Sequence, residues 1–215
     1  MLSGALAVEL PSPTHEAFIS EVVSPDSGLL MYPDLGMLPR GAQVRALVPS
    51  TVIVVEASKW RALLASDHVA ARLSAEVACR RVSELQQRVS SLGHPSSRRR
   101  VLHALSYLDR HLGESCALGG GRVLRVVQAD VAAIASVTRQ TANRILRGLQ
   151  ADGLIRIERA MICGIDSPGL ATLVQGGALR NAFEPCGTCQ LARPSAILSC
   201  RPEGRRRVRR VVQPN

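Results

Sequence analysis

The stretch from Gln128 to Ile157, QADVAAIASVTRQTANRILRGLQADGLIRI, constrains this chain more than any other. Val131 and Ile134 give a short helix its apolar face, and alanines at 132, 133 and 135 allow another helix to cross closely. Ser136-Val137 interrupts the pattern, and Thr138 is placed to N-cap a second helix. In that second helix Ala142, Ile145, Leu146 and Leu149 recur at i, i+3, i+4 and i+7, the spacing of one buried face. The opposite face carries Arg139, Gln140, Asn143, Arg144 and Arg147. Two helices joined by a short turn, the second basic and polar on its outer side, describe a helix-turn-helix.

Groove geometry gives that arrangement its meaning. A helix fits the DNA major groove with its N-terminal residues at the base edges. Arginine can donate two hydrogen bonds to guanine, and glutamine can pair bidentately with adenine. Arg139, Gln140, Asn143 and Arg144 are therefore the expected base readers, with Arg147 on the same face. Gln128 and Thr138, each at a helix start, are expected to hold phosphates, which fix register without reading sequence. A solvated charged face on a core helix explains any single arginine, but here turn, cap and following hairpin agree. After Gly153, LIRIERAMICGID alternates as two short strands turning near Glu158-Arg159-Ala160, a wing whose Arg159 can touch a phosphate. Ser167-Pro168 offers an N-cap and a first-turn proline for a closing helix, GLATLV.

These residues resemble the C-terminal DNA-binding domain of Crp/Fnr-type bacterial transcription regulators. The matching features are Gln-x-Asp-x-Ala at the opening, Thr-Arg-Gln-Thr leading the recognition helix, Arg-Ile-Leu within it and Gly-Leu-Ile before the wing. Two features depart from the family pattern: Ser136 stands where the turn usually has glycine, and the wing tip lacks its glycine. A slightly altered turn, not a lost fold, is expected.

Charge is polarised along the chain. Residues 1–57 carry a net −4 and residues 58–215 a net +14, and Lys59 is the only lysine among 27 basic residues. An acidic front and a basic rear suggest that only the rear faces a polyanion. With aromatic residues at 2% of the chain, its cores must be built from Leu, Val, Ile and Ala. No apolar run reaches the length of a membrane helix, and MLSGALAVELPSP lacks the positive lead of a secretory signal. A cytoplasmic location and no membrane partner are expected.

Residues 4–57 read as short strands, GALAVEL, HEAFISEVV, AQVRALV and STVIVVEA, separated by turn signals that include Pro49-Ser50. By the same resemblance, this block is similar to the second half of a cyclic-nucleotide-binding β-roll, here jelly-roll-like and partial. The family's phosphate-binding Arg-Ser/Thr-Ala corresponds to Arg40-Gly41-Ala42, and its ribose-binding Gly-Glu to Gly28-Leu29. A leucine cannot accept the ribose hydroxyl, and leaving that hydroxyl unpaired is costly. Arg40 is thus read as a remnant of a phosphate site, with no cofactor expected. The opening strands of the roll have no counterpart before Met1, which fits a shortened domain or a start codon further upstream.

Lys59 to Ala65 suggests a short helix, and a long one follows over residues 69–92. Ala71, Ala75, Ala78, Val82, Leu85, Val89 and Leu92 alternate spacings of four and three, a heptad seam. Part of the helix must pack on its own β-roll, but the seam, like the resemblance, implies a symmetric homodimer. Gly93-His94-Pro95 is a hinge candidate. Ser96 or Ser97 can cap the next helix, whose Arg98, Arg99 and Arg100 oppose the helix dipole, tolerable if solvated and better placed near phosphates. Residues 113–121 read as a loop, and RVLRVV as a strand. The tail ends in RPEGRRRVRRVVQPN, expected to be without structure and to add salt-sensitive, sequence-blind DNA affinity.

Cys186, Cys189 and Cys200 do not complete a zinc set, and the histidines form no ligand-spaced cluster, so no metal is expected. There is no P-loop, GxSxG or HExxH motif, which speaks against an enzyme. The expected architecture is α+β. Its parts are a truncated β-roll over 1–58, a helical segment over 59–93, a winged helix-turn-helix over 96–173 and a basic tail over 174–215. The expected function is a homodimeric, sequence-specific transcription regulator on double-stranded DNA, with RNA polymerase as a further candidate partner. The alternatives are an effector-gated sensor and a non-DNA-binding heterodimer partner of full-length relatives.

Overall fold

Strand formation near the N-terminus follows from apolar residues on both sides of the pleat. In the computed structural model, which describes residues 1–12, 18–25, 41–115, 121–158, 161–175 and 209–211, β1 spans Ser3–Leu10, β2 Phe18–Val23 and β3 Gln43–Ile53. Leu6 and Val8 of β1 pack with Val23 and Ala46, while Ala5 and Ala7, which alternate with them, are buried too. Arg40, Gly28 and Leu29, the residues compared above with a nucleotide site, lie outside the described residues.

One strand, β3, replaces the two that Pro49-Ser50 was expected to divide. Opposite it, the antiparallel register with β1 shifts between Ser3 and Leu6. Gly4 there has φ +89, and a Cβ on it would collide with the Pro49 carbonyl oxygen and with Ser50. The buried Ser50 hydroxyl accepts from the Ala5 amide at 3.0 Å and faces the Ala5 and Val48 carbonyl oxygens at 3.1 and 2.7 Å. A side-chain hydroxyl thus substitutes for ladder bonds, so a proline without an N–H fits within the strand.

The sheet runs β2-β1-β3-β8, with β8 spanning Arg209–Val211 and parallel to β3, Thr51 facing Arg209 and Ile53 facing Val211. At these three positions the tail is a strand, contrary to the expectation of no structure. An open strand edge offers unpaired backbone groups, and RVRRVV has the β-branched residues to pair with it.

Two helices follow, α1 over Ala57–Ser66 and α2 over His68–Leu92. Asp67 separates them because its carboxylate accepts from the Val69 and Ala70 amides at 2.8 and 3.1 Å, a cap for the start of α2. One face of α2 is tied to β2. Arg81 pairs with Glu21 at 2.8 Å, both nearly buried, and the buried Arg88 donates to the Ile19 carbonyl at 3.1 Å.

The chain divides into two compact units. One comprises Met1–Pro11, Ile19–Ser90 and Arg206–Asn215, the other Ser12–Phe18 and Ser91–Arg205. The second is built on α3, Ser97–Leu112, whose Val101, Leu102, Leu105 and Leu108 are buried as their spacing predicts. Helices α4 (Gln128–Ala135), α5 (Arg139–Ala151) and α6 (Ser167–Val174) pack on it. An antiparallel sheet in the order β4-β5-β7-β6 completes the unit, from Glu114–Ser115, Arg122–Leu124, Met161–Ile165 and Arg156–Glu158 respectively. The loop expected at 113–121 therefore opens with a strand, Glu114 pairing with Val123. No helix among the described residues is long and apolar enough to cross a membrane.

Candidate nucleic-acid interface

The interface is built from the turn outward. Helix α4 ends at Ser136, which sits in the left-handed region at φ 49, ψ 53 and donates its N–H to the Ala132 carbonyl. It is the one non-glycine residue with positive φ among those described. This is the place where the family pattern has glycine, and serine adopts the glycine-like conformation there. Val137 is buried beneath the turn, and Thr138 N-caps α5, its hydroxyl oxygen accepting from the Thr141 amide at 3.2 Å.

Helix α5 is anchored by Ala142, Leu146 and Leu149, each fully buried. Ile145, expected on that face, is only half-buried. Gln140, Arg144 and Arg147 are exposed on the opposite side, and Arg139, one turn before Asn143 and two before Leu146 and so nearer the buried stripe, is exposed because it opens the helix. Asn143 stands apart from them. At about 100° per residue it lies on the flank towards Leu146, half-buried, with its Oδ1 enclosed and lacking a hydrogen-bond partner among the described residues. Thr138 is exposed at the start of α5, and Gln128 opens α4, half-buried, behind an N-cap (Val127) that supplies no side-chain bond. Arg159 lies outside the described residues.

The three arginines at the start of α3, expected to be solvated or near phosphates, have three different surroundings. Arg98 reaches Asp152, the C-cap of α5, at 2.8 Å. Arg100 turns inward, donating to the carbonyls of His94 and Ala135 at 2.8 and 3.2 Å. Of the three, Arg99 alone is exposed with its guanidinium drawn to no acceptor among the described residues.

A second network was invisible in the sequence. Asp109, buried near the end of α3, accepts from Arg122 Nε of β5 at 2.6 Å and from the Ser167 hydroxyl of α6 at 2.6 Å. Arg122 also donates to the carbonyls of Asp109 and Gly113 at 2.9 and 2.7 Å. A Cβ at Gly113 would collide with Asp109 and Arg122, so glycine makes room for the network. Because Ser167 is used here, α6 is capped by Asp166, which accepts from the Gly169 amide at 3.0 Å, and not by Ser167 as expected. No short-range spacing signals these contacts, which join residues up to 58 positions apart.

The expected dimer seam occupies a flank of α2, about a quarter turn from the side tied to β2. Ala75, Val82 and Val89 are exposed, Val82 by 55% and Val89 by 70%, while Ala71, Ala78, Leu85 and Leu92 are half-buried. Among the described residues no cluster of three or more His, Cys, Asp or Glu side chains could hold a metal ion. Cys79 is an exposed free thiol, and Cys186, Cys189 and Cys200 fall outside the described residues.

Residues 99–173 match the Crp-like helix-turn-helix domain family. No curated protein sequence matches the chain as a relative. Solved structures do match its fold. FixK2 from Bradyrhizobium japonicum is similar at a TM-score of 0.60 and 18% identity, over 83% of this chain and 86% of that one. TTHA1359, a CRP/FNR-family transcriptional regulator from Thermus thermophilus, is similar at 0.58 and 20%, over 81% and 85%. TTHB099, a CRP-family regulator from the same organism, is similar at 0.57 and 19%, over 84% and 88%. With a capped recognition helix, a left-handed turn, an antiparallel wing and this family match in one place, residues 99–173 are a Crp-like helix-turn-helix domain, in a chain with the fold of the CRP/FNR transcriptional regulators.

Proposed function

We propose that this protein is a sequence-specific DNA-binding transcription regulator acting as a homodimer on a near-palindromic site. The observation that carries the reading is the outer face of α5. Arg139, Gln140, Arg144 and Arg147 are exposed on a helix anchored by the fully buried Ala142, Leu146 and Leu149 and capped at its N-terminus by Thr138. Buried leucines fix the helix, so its reading side chains are presented without a cost in ordering the backbone. Arg139, Gln140 and Arg144 take the base edges. Arg147, Thr138 and Gln128 take phosphates, and Arg159 meets the backbone from the wing. Asn143, set back on the flank, takes the smallest part.

The exposed half of the α2 seam supports dimerisation. Val82 and Val89 are large apolar side chains left in water at heptad spacing, and a second copy of the same helix covers them. Two recognition helices would then meet half-sites one helical turn apart, about 10–10.5 base pairs centre to centre. The test is selection of bound sites from random DNA. It is expected to return a near-palindrome with that spacing. Arg139→Ala and Arg144→Ala should each remove a base preference worth about 1–3 kcal/mol per lost bidentate contact. Unchanged site choice by both variants would refute the assignment.

A further inference from the structure

Four hydrogen-bond acceptors converge on one side chain at the base of the DNA-binding unit. Arg100 Nη1 donates to the His94 carbonyl at 2.8 Å and the Pro95 carbonyl at 3.4 Å. Its Nη2 donates to the Ser97 hydroxyl at 3.3 Å, and its Nε to the Ala135 carbonyl at 3.2 Å. His94 is held a second time, because its ring stacks on that of His103 with centroids 5.1 Å apart and planes 18° from parallel. Arg100 and His103 are three residues apart on α3 and so share a face of that helix.

These contacts join three segments. His94 and Pro95 belong to the linker after α2, Ser97 to the first turn of α3, and Ala135 to the last turn of α4, beside the left-handed Ser136. A helix leaves its last carbonyls without intrahelical partners, and Arg100 satisfies one at the point where the chain turns towards the recognition helix. The planar fork of a guanidinium can meet carbonyls in several directions at once, which an ammonium on a flexible stem does not reproduce.

We propose that Arg100, His94 and His103 form a latch that makes the linker from residue 94 onward part of the DNA-binding unit. The latch also sets the end of α4, and hence the turn leading to α5, against α3. Arg100 is a positioning residue for the recognition helix and not a phosphate ligand. The effect on DNA rests on the DNA-binding reading above; the latch itself does not.

The test compares the full-length protein with Arg100→Lys, Arg100→Gln and His94→Ala, by amide hydrogen exchange without DNA and by binding to selected and random DNA across a salt series. Both Arg100 variants are expected to speed exchange about tenfold or more in segments 94–97 and 134–138, since charged hydrogen bonds are lost in each. His94→Ala, which keeps the Arg100 bonds, should speed exchange in 94–97 only and leave α3 protected. On DNA, Arg100→Lys should lose discrimination between selected and random sites as fully as Arg100→Gln, with the salt slope unchanged. A phosphate ligand behaves otherwise: lysine retains affinity, and glutamine lowers the slope by about one. That pattern, or exchange in 94–97 and 134–138 unaltered by either Arg100 variant, overturns the proposal. If no variant or wild-type protein distinguishes DNA sequences, the DNA-binding reading fails, and the exchange measurements alone decide for or against the latch.

Discussion

Replacing Asp109 with alanine removes a side chain that hydrogen-bonds α3 to both β5 and α6. Its carboxylate receives two short bonds, 2.6 Å each, from Arg122 Nε and the Ser167 hydroxyl, and the residue is 8% exposed. Hydrogen bonds to a charged group contribute about 1.5–3 kcal/mol each, so the gross loss is about 3–6 kcal/mol. The Arg122 share must be reduced. Its side chain is 38% exposed and keeps the Asp109 and Gly113 carbonyls as acceptors, so water and backbone recover much of what the carboxylate supplied. Counting that share as about 1 kcal/mol and the Ser167 share near the low end of its range leaves a net loss of about 2–3 kcal/mol. For a domain of this size the loss corresponds to a fall in melting temperature of roughly 10–20 °C. Urea unfolding followed by circular dichroism measures it. Fluorescence of Trp60 in α1 serves as an internal reference, because the tryptophan lies in the other compact unit. Ser167→Ala should cost about half as much, and the deficit of Asp109→Ala should persist in high salt because the carboxylate is buried. The reasoning is refuted if Asp109→Ala unfolds within about 0.5 kcal/mol of the wild type, or if Ser167→Ala costs as much as Asp109→Ala.

Ser136→Gly should stabilise the DNA-binding unit by about 0.5–1 kcal/mol, the left-handed penalty of an L-residue less the added chain entropy of glycine; a lower melting temperature would show that the serine side chain matters to the turn. Glu21 should titrate above the ordinary carboxylate value of 4.5, because burial raises its pKa, aided by the nearby Glu84, and outweighs the lowering by Arg81. A carboxyl raised on folding contributes stability that is fully present below its unfolded pKa and is lost as pH rises through the folded one. Carboxyl NMR titration with and without Glu84→Gln checks this, the variant shifting Glu21 downward; a Glu21 that titrates at or below 4.5 sinks it. Val89→Glu should weaken self-association roughly a hundredfold or more, since a charge enters the seam from both copies; sedimentation equilibrium reads the result, and an unchanged dimer, or a monomeric wild type, removes the seam from the interface.

Local periodicity and capping chemistry made much of the fold legible. Thr138 caps α5 because a hydroxyl three residues ahead of an amide reaches it whatever surrounds them, and the apolar spacing of α3 and α5 dictates which faces are buried. The polar outer side of α5 is likewise a property of 3.6-residue periodicity, which placed Gln140, Arg144 and Arg147 opposite the buried stripe; that Arg139 is exposed and Asn143, grouped with them, half-buried depends on what packs beside each. Tertiary structure decided which polar groups are free to meet a partner and which are consumed inside. Arg100 and Arg98 resemble Arg99 in sequence, yet Arg100 ends on backbone carbonyls and Arg98 on Asp152, while Ser167 is taken by Asp109, leaving Asp166 to cap α6. The irregularity at Gly4 and Ser50 carries β3 through Pro49, where a turn was expected. The deciding partners, Ala135 for Arg100, Asp152 for Arg98 and Asp109 for Ser167, lie tens of residues away, and the Gly4 site depends on space left by a missing Cβ. Pattern reading senses neighbours within a turn or two of chain, whereas desolvation and hydrogen-bond satisfaction are settled by whatever the fold brings alongside.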